Sequence, residues 1–311
     1  MRRPFSRLAE RVVGRLLFRS VPLQGRLVEQ LRREAAALGG GSADVIDLWD
    51  GVRRELRAEL HGGDPAEFLR WPPVRRTMVK RDPRRVRPEL AHLRARPDWR
   101  RRWRSVLRET TLGRPYPLPR CPWSSVNSIF QAYHLCRFEE ATGRPLASMR
   151  TIVEFGGGYG RLCHLVHELG FTGTYVIFDL PEVAVLQRFY LQHVGIAVGE
   201  GRDGDGAARG VITAVDVADV AALLRARAEG PAAFVAIGSL SEAPLTLREA
   251  FLAEARAFDA FLVFYAAQHD ALDNRAYFAR WRAALPDHDW TDAPVHHYTK
   301  EASYLFGLRR R

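Results

Sequence analysis

Lysine is nearly missing from this chain. Of 311 residues only Lys80 and Lys300 are lysines, so arginine supplies almost all the positive charge. Cysteine is scarce as well. Cys121, Cys136 and Cys163 cannot all pair and lack metal-ligand spacing. That excludes a disulfide scaffold and a cysteine metal site, and it points to a reducing cytoplasm. No run of about 18 apolar residues occurs, so no membrane-spanning helix is expected. The first residues resemble a signal peptide only superficially, because Arg11 and Arg15 interrupt what would be its apolar stretch. With 47% apolar, 27% charged and 10% aromatic residues, the composition is neither disordered nor collagen-like.

The net charge of +11 is unevenly spread. Residues 1–120 hold 29 basic and 14 acidic side chains, and residues 121–311 hold 18 and 22. A basic amino-terminal part is one mark of a nucleic-acid protein. The strong preference for arginine, beside many alanines, fits a GC-rich coding sequence equally well, and no nucleic-acid partner is expected. Arg7, Arg11, Arg15 and Arg19 recur every four residues beside an apolar stripe of Phe5, Leu8, Val12 and Leu16. Such a helix could lie on an anionic membrane. The reading preferred from sequence is a helix packed on its own protein or on a second subunit, without a membrane partner.

Periodicity separates two regions, 1–122 and 123–311. The first is mostly helical, with helices expected near 5–18, 23–38, 44–60 and 87–110. Residues 114–122 contain four prolines and read as an extended connector. Ser124 or Ser125 could cap the helix that follows, through Glu140. From residue 150 short apolar runs alternate with helical segments. Thr151–Phe155, Thr174–Phe178, Val211–Ala214, Ala233–Ile237 and Ala260–Ala266 read as buried strands. Residues 161–169, 181–194, 217–229 and 245–257 read as the helices between them. This alternation predicts an α/β fold with a mostly parallel sheet. Trp290–Thr299 and Ser303–Arg309 follow each other without a helix, which suits an antiparallel hairpin at its end. Gly199–Gly210 reads as a flexible loop.

The most informative segment is Thr151-Ile-Val-Glu-Phe-Gly-Gly-Gly-Tyr-Gly-Arg-Leu-Cys-His-Leu165. A buried strand ends in glycines and a helix begins, leaving main-chain N–H groups open to a nucleotide-like ligand. A P-loop needs Gly-Lys-Ser/Thr, which is absent. A dinucleotide fingerprint starting at Gly156 would put its third glycine on Arg161. The pattern present is Glu154-x-Gly156-x-Gly158-x-Gly160. The strand Tyr175-Val-Ile-Phe-Asp179 ends in an acid nineteen residues after Gly160. A carboxylate there can accept from both ribose hydroxyls, and it can also cap the helix that follows.

The glycine pattern resembles the first motif of class I S-adenosylmethionine (SAM) methyltransferases. Together with Phe-Asp-Leu-Pro-Glu-Val183 and Gly238-Ser-Leu-Ser-Glu-Ala-Pro-Leu245 it resembles the bacterial sugar O-methyltransferases, over roughly residues 120–311. The resemblance implies a Rossmann-like sheet and methylation of a hydroxyl on a sugar or another small polar natural-product intermediate. It implies that Glu154, Gly156, Gly157, Gly158, Gly160, Asp179 and Leu180 hold SAM and that Asp216 approaches the adenine amine. Arg161 could meet the SAM carboxylate or an acidic substrate, or form a helix-surface ion pair.

For the chemistry, related enzymes often carry a His-Asp pair after the fourth strand, and no histidine occurs here. Glu242 and His269 are the candidate bases, each just past a strand end. Tyr133, His134, Ser239 and Ser241 are candidate substrate contacts, with His134 alternatively a surface residue. His296-His297 reads as structural. Asp216, Glu242 and Asp270 could converge on Mg²⁺, but no metal is expected. The helical region is read as a lid or a homodimer interface. Alternatives are N-methylation of a small amine and a SAM-binding protein that does not methylate. An NAD oxidoreductase or an RNA methyltransferase is disfavoured by the glycine spacing and by the lack of an RNA-binding motif.

Overall fold

A computed structural model describes residues 6–38, 47–200, 210–227, 229–298 and 301–310. The body of the expected glycine-rich loop, and the side chains of Phe5 and Arg7, lie outside the described residues. The helices of eight or more residues are α1 (Arg7–Leu17), α2 (Gly25–Ala37), α3 (Asp47–Gly62), α4 (Val86–Ala95), α5 (Val126–Thr142), α6 (Arg161–Glu168), α7 (Pro181–His193), α8 (Val217–Ala226), α9 (Leu245–Leu252) and α10 (Asn274–Ala283). The strands of the large sheet are β1 (Thr151–Phe155), β2 (Thr174–Phe178), β3 (Val198–Glu200), β4 (Gly210–Ala214), β5 (Ala232–Ile237), β6 (Ala260–Ala266), β7 (His288–Val295) and β8 (Ala302–Arg309). None of the described helices is long and apolar enough to cross a membrane.

The chain forms two compact units that interleave in sequence. One comprises Met1–His134, Gly158–Leu169 and Pro181–Ala197; the other comprises Leu135–Gly157, Gly170–Leu180 and Val198–Arg311. Helices α6 and α7, expected from sequence to belong with the sheet, fall by their contacts in the unit that holds the amino-terminal helices.

That first unit is built around aromatic and ionic contacts distant in sequence. Phe68 is fully buried, with its ring 5.6 Å from Tyr159, 5.9 Å from Tyr190 and 6.2 Å from Phe189. Such edge-on packing contributes beyond the buried area alone. Glu182 at the start of α7 is fully buried and accepts from Arg53 at 3.0 Å and Arg57 at 2.6 Å, both from α3. Burying a carboxylate costs several kcal/mol or more, and two guanidinium groups offset that here. Arg188 of α7 pairs with Glu34 of α2 at 2.7 Å.

One expectation for this region needs correction. The helix expected over 87–110 is not continuous. Pro97 cannot donate to a helical carbonyl and disfavours helical geometry at Arg96, which adopts ψ 138°. The chain restarts as a π-turn at Trp99–Trp103 and a short helix at Arg104–Val106. The connector is extended, as its prolines require, and also pairs: Pro117–Leu118 lies antiparallel to Cys121–Ser125. Ser125 caps α5, its hydroxyl accepting from the Ser128 N–H at 3.1 Å.

The second unit holds the sheet, in the order β7-β8-β6-β5-β1-β2-β4-β3. Strands β3 to β6 and β1 and β2 are parallel, and β8 runs antiparallel between β6 and β7. This is the α/β, Rossmann-like architecture expected, with its antiparallel carboxyl-terminal hairpin. Strand β1 is buried at every position. That is why parallel strands covered on both faces read as unbroken apolar runs rather than alternating ones. Phe155, Phe178 and Phe234 surround Phe251 of α9 at 5.1–5.5 Å, and residues of α8 and α10 join the same core.

Register positions the site. Phe155 pairs with Phe178 and with Ala236, and Phe178 pairs with Ala214. Adjacent strands therefore end level. The ladder closes with Gly156 N–H on the Phe178 carbonyl at 2.7 Å and Asp179 N–H on that of Ala214 at 3.1 Å. From β1 the chain builds outward on one side through β2 and β4, then crosses back to β5 on the other side of β1 and goes on to β6. That reversal is where ligands bind in open parallel sheets.

Candidate functional site

At the reversal point β1 turns through Gly156, Gly157, Gly158 and Gly160. Gly156 has φ 72° and a side chain there would collide with the Cβ of Ser239. The Ser239 hydroxyl in turn donates to the Phe155 carbonyl. A Cβ on Gly157 would stand 2.6 Å from Ile177 Cγ2 and 2.9 Å from a Glu154 carboxylate oxygen. A side chain is thus disfavoured at both positions, at Gly156 by backbone conformation and crowding and at Gly157 by crowding alone. Further along, the Gly158 carbonyl accepts from Gln187 of α7 at 2.8 Å, and Gly160 opens α6 from a left-handed conformation.

Glu154 lies beneath this turn. It is buried and accepts from the Tyr175 hydroxyl at 2.8 Å. Burial pushes its pKa up to about 8, the Tyr175 hydrogen bond opposes that, and the neighbouring Asp179 charge adds to it. Glu154 is therefore mainly protonated at neutral pH. A cation brought above it would draw the proton off.

Asp179 and Leu180 follow β2, half-buried. One Asp179 oxygen accepts from the Leu180 N–H at 2.8 Å. Asp216 follows β4 and is exposed, and its carboxylate caps α8 through the Ala218 N–H at 2.8 Å. The capping reading of Asp216 is thus what the geometry displays. The parallel strands β1, β2 and β4 bring the glycine turn, Asp179 and Asp216 to one edge of the sheet in spatial order.

The turn after β5 differs from expectation. Ser241 is buried and its hydroxyl donates to the Gly238 carbonyl at 2.7 Å. With Ser239 on Phe155, both serine hydroxyls offered as substrate contacts are spent on main chain. Glu242 remains exposed at the end of Ser239–Glu242. Sequence reading missed what holds this turn. Arg248 of α9 is fully buried and donates to the Ala243 carbonyl at 2.6 Å, to the Ser241 carbonyl and to Asn274 Oδ1 at 2.6 Å. Asn274 at the start of α10 donates to the Ala266 carbonyl at 2.9 Å, tying the turn to the end of β6. Arg248 stands out in sequence only as an arginine inside an apolar helical pattern.

His269 lies past β6 in a small hairpin pairing Gln268–His269 with Leu272–Asp273. It is half-buried, with Nε2 3.7 Å from an exposed Asp270 oxygen. Asp270 is one of two non-glycine residues described at positive φ, at 49°. Asp216, Glu242 and Asp270, the acids considered for Mg²⁺, do not form a close group of ligand atoms among the described residues. His296 and His297 sit in the turn after β7.

Tyr133 and His134 on α5 are buried in the first unit, Tyr133 5.2 Å from the His92 ring and His134 4.2 Å from that of Phe130. His134 is therefore not the surface residue of the alternative reading. Arg161 also requires correction. It is fully buried rather than on a helix surface, and donates to Ser128 Oγ at 2.8 Å and the Val106 carbonyl at 3.2 Å, with His164 Nδ1 at 2.9 Å. Buried Glu109 accepts from Ser125 at 2.5 Å and from Ser128. Burial and the adjacent Arg161 charge hold the His164 pKa well below its ordinary value, so this ring is neutral, with the Tyr190 hydroxyl 2.8 Å away. The guanidinium right after the glycine turn is thus consumed by its own unit.

No family model matches this chain, and no curated protein matches it. Solved structures similar to it include the mitomycin 7-O-methyltransferase (14% identity; 74% of this chain and 73% of that one; TM-score 0.36). A glycopeptide N-methyltransferase shares 14% identity over 57% of this chain and 94% of its own, with TM-score 0.37. The magnesium protoporphyrin IX methyltransferase of Synechocystis PCC 6803 shares 13% over 58% and 80%, with TM-score 0.37. Likenesses this distant carry no inference about what this chain acts on.

Proposed function

We propose that this chain binds SAM at the carboxyl edge of the sheet and transfers its methyl group to a hydroxyl of a sugar or another small polar molecule. The observation that carries the reading is the side-by-side emergence of the glycine turn and Asp179 from adjacent strands ending level. A diol-bearing nucleoside fits that arrangement. Gly156 and Gly157 leave main chain bare where a Cβ would collide, Asp179 can accept from two vicinal hydroxyls, and buried Glu154 favours a positive centre above it. Asp216 is the candidate for the adenine amine, with its capping bond retained.

When bound, SAM supplies a methyl group on a positively charged sulfur, an electrophile with a good neutral leaving group. The protein's task is then chiefly alignment, plus removal of the acceptor's proton. His269 is our candidate to accept that proton at Nε2, which lies 3.7 Å from an Asp270 oxygen. Glu242 is the second candidate. The committed serines do not compete for either role. The acceptor is a small molecule, neither nucleic acid nor protein.

Calorimetric titration with S-adenosylhomocysteine tests the cofactor, with NAD as control. Micromolar binding that weakens at least about tenfold in Asp179→Ala is expected. Binding of NAD instead, or of neither, overturns the reading. With binding in hand, a panel of sugars, glycosides and amines tests the transfer. Products methylated only on nitrogen would overturn the hydroxyl acceptor, and binding without any product would leave a SAM-binding protein that does not methylate.

A further inference from the structure

Among the described residues six large apolar side chains are strongly exposed, and three of them share one stripe of α1. Leu8 is 72% exposed, Val12 49% and Leu16 73%. Their four-residue spacing advances the stripe by only about 40° per step, so it runs almost along the helix. The packing expected from sequence, on the chain's own body, is therefore absent from this face. The face is also charged in one sense. Arg11 and Arg15 flank the stripe, both exposed. Arg11 approaches Glu67 at 3.8 Å but keeps 60% of its side chain exposed. The helix's one acidic residue, Glu10, turns inward and is held by Arg70 at 2.9 Å. What α1 offers to its surroundings is apolar and cationic only.

Charge decides what such a face fits. A second copy docking this face on its own would set the arginines of one copy beside those of the other, with Glu10 of each turned away to Arg70. An anionic bilayer surface complements both halves of the face. The apolar stripe enters the headgroup boundary, and the arginines stay at phosphate level. Eleven residues, about 16 Å of helix, are far too few to span the membrane but enough to lie in its plane. We propose that α1 is an in-plane anchor that binds the protein reversibly to anionic lipid surfaces.

Co-sedimentation of the full chain with vesicles tests this. With phosphatidylcholine containing one-quarter phosphatidylglycerol the protein should pellet, and with phosphatidylcholine alone partitioning should fall at least about tenfold. Raised salt should release it. Leu8→Glu with Leu16→Glu should reduce partitioning by about tenfold or more. The milder pair Leu8→Ser and Leu16→Ser should also reduce it, with far-ultraviolet circular dichroism unchanged, since both positions face solvent. Arg11→Ser with Arg15→Ser should weaken binding and flatten its salt dependence. Failure to pellet with the anionic vesicles overturns the proposal, as does equal pelleting of wild type and both leucine pairs. A dimer in light scattering that Leu8→Glu with Leu16→Glu dissociates, without lipid binding, assigns the face to a second copy instead and equally overturns it.

Discussion

Glu154 holds a proton that an unfolded chain would release. An exposed glutamate titrates near about 4.3, whereas this one is pushed up to about 8 by burial. Between those values the folded state binds more protons than the unfolded one, so folding stability falls as pH rises through that window. Glu154→Gln keeps an acceptor for Tyr175 and carries no charge. The variant should therefore match wild type near pH 4 and exceed it near pH 8, by on the order of a few kcal/mol. Thermal melts across that range would show it, and parallel curves for the two proteins would refute the assignment. Gly157 tests the same site by volume. Alanine there meets Ile177 Cγ2 and the Glu154 carboxylate, so Gly157→Ala should weaken S-adenosylhomocysteine binding about tenfold or more while the protein still folds. Unchanged affinity would mean that the turn yields easily and is not a fitted cradle.

Among the elements, the turn after β5 depends on a buried arginine that bonds chiefly to main chain. Arg248→Met preserves much of the volume but leaves the Ser241 and Ala243 carbonyls and Asn274 without their charged donor. A loss of about 3 kcal/mol or more is expected in urea unfolding; a loss under about 0.5 kcal/mol, the scale of surface substitutions, would show that water replaces these bonds readily. The strands around this turn were legible from sequence because burial on both faces leaves apolar runs that few other elements produce. Strand β1 and strand β2 have the expected bounds, and the hairpin of β7 and β8 was marked by two runs without a helix between. Helix α10 was not legible. Arg275, Arg280 and Arg282 interrupt its apolar residues, and it starts from a cap at Asp273 whose partner, the Ala276 N–H at 3.0 Å, leaves no periodic trace. The roles of Ser239, Ser241 and Arg161 were hidden for a similar reason. A hydroxyl or guanidinium spent on a distant carbonyl looks in sequence the same as one left for a ligand, whereas glycines with positive φ announce a constraint by being glycine.

Over the whole molecule, interleaving is what sequence reading could least supply. Tyr159, Tyr190 and Glu182 lie far along the chain, yet their partners Phe68, Arg53 and Arg57 come from the helical amino-terminal part. A fragment of residues 123–311 should therefore fail as an independent fold, leaving Glu182 and Arg161 without their buried counter-groups. We expect weak near-ultraviolet circular dichroism and strong dye binding from such a fragment. A cooperative melt with native-like spectra would refute this. The same arrangement sets an order of events during synthesis. The first 134 residues emerge without the segments that complete their unit, which ends only at Ala197. At roughly 5–20 residues per second that delay lasts about 3–13 s. Through that interval Phe68, Arg53 and Arg57 have left the ribosome while Tyr159, Tyr190 and Glu182, their partners in the folded unit, have not.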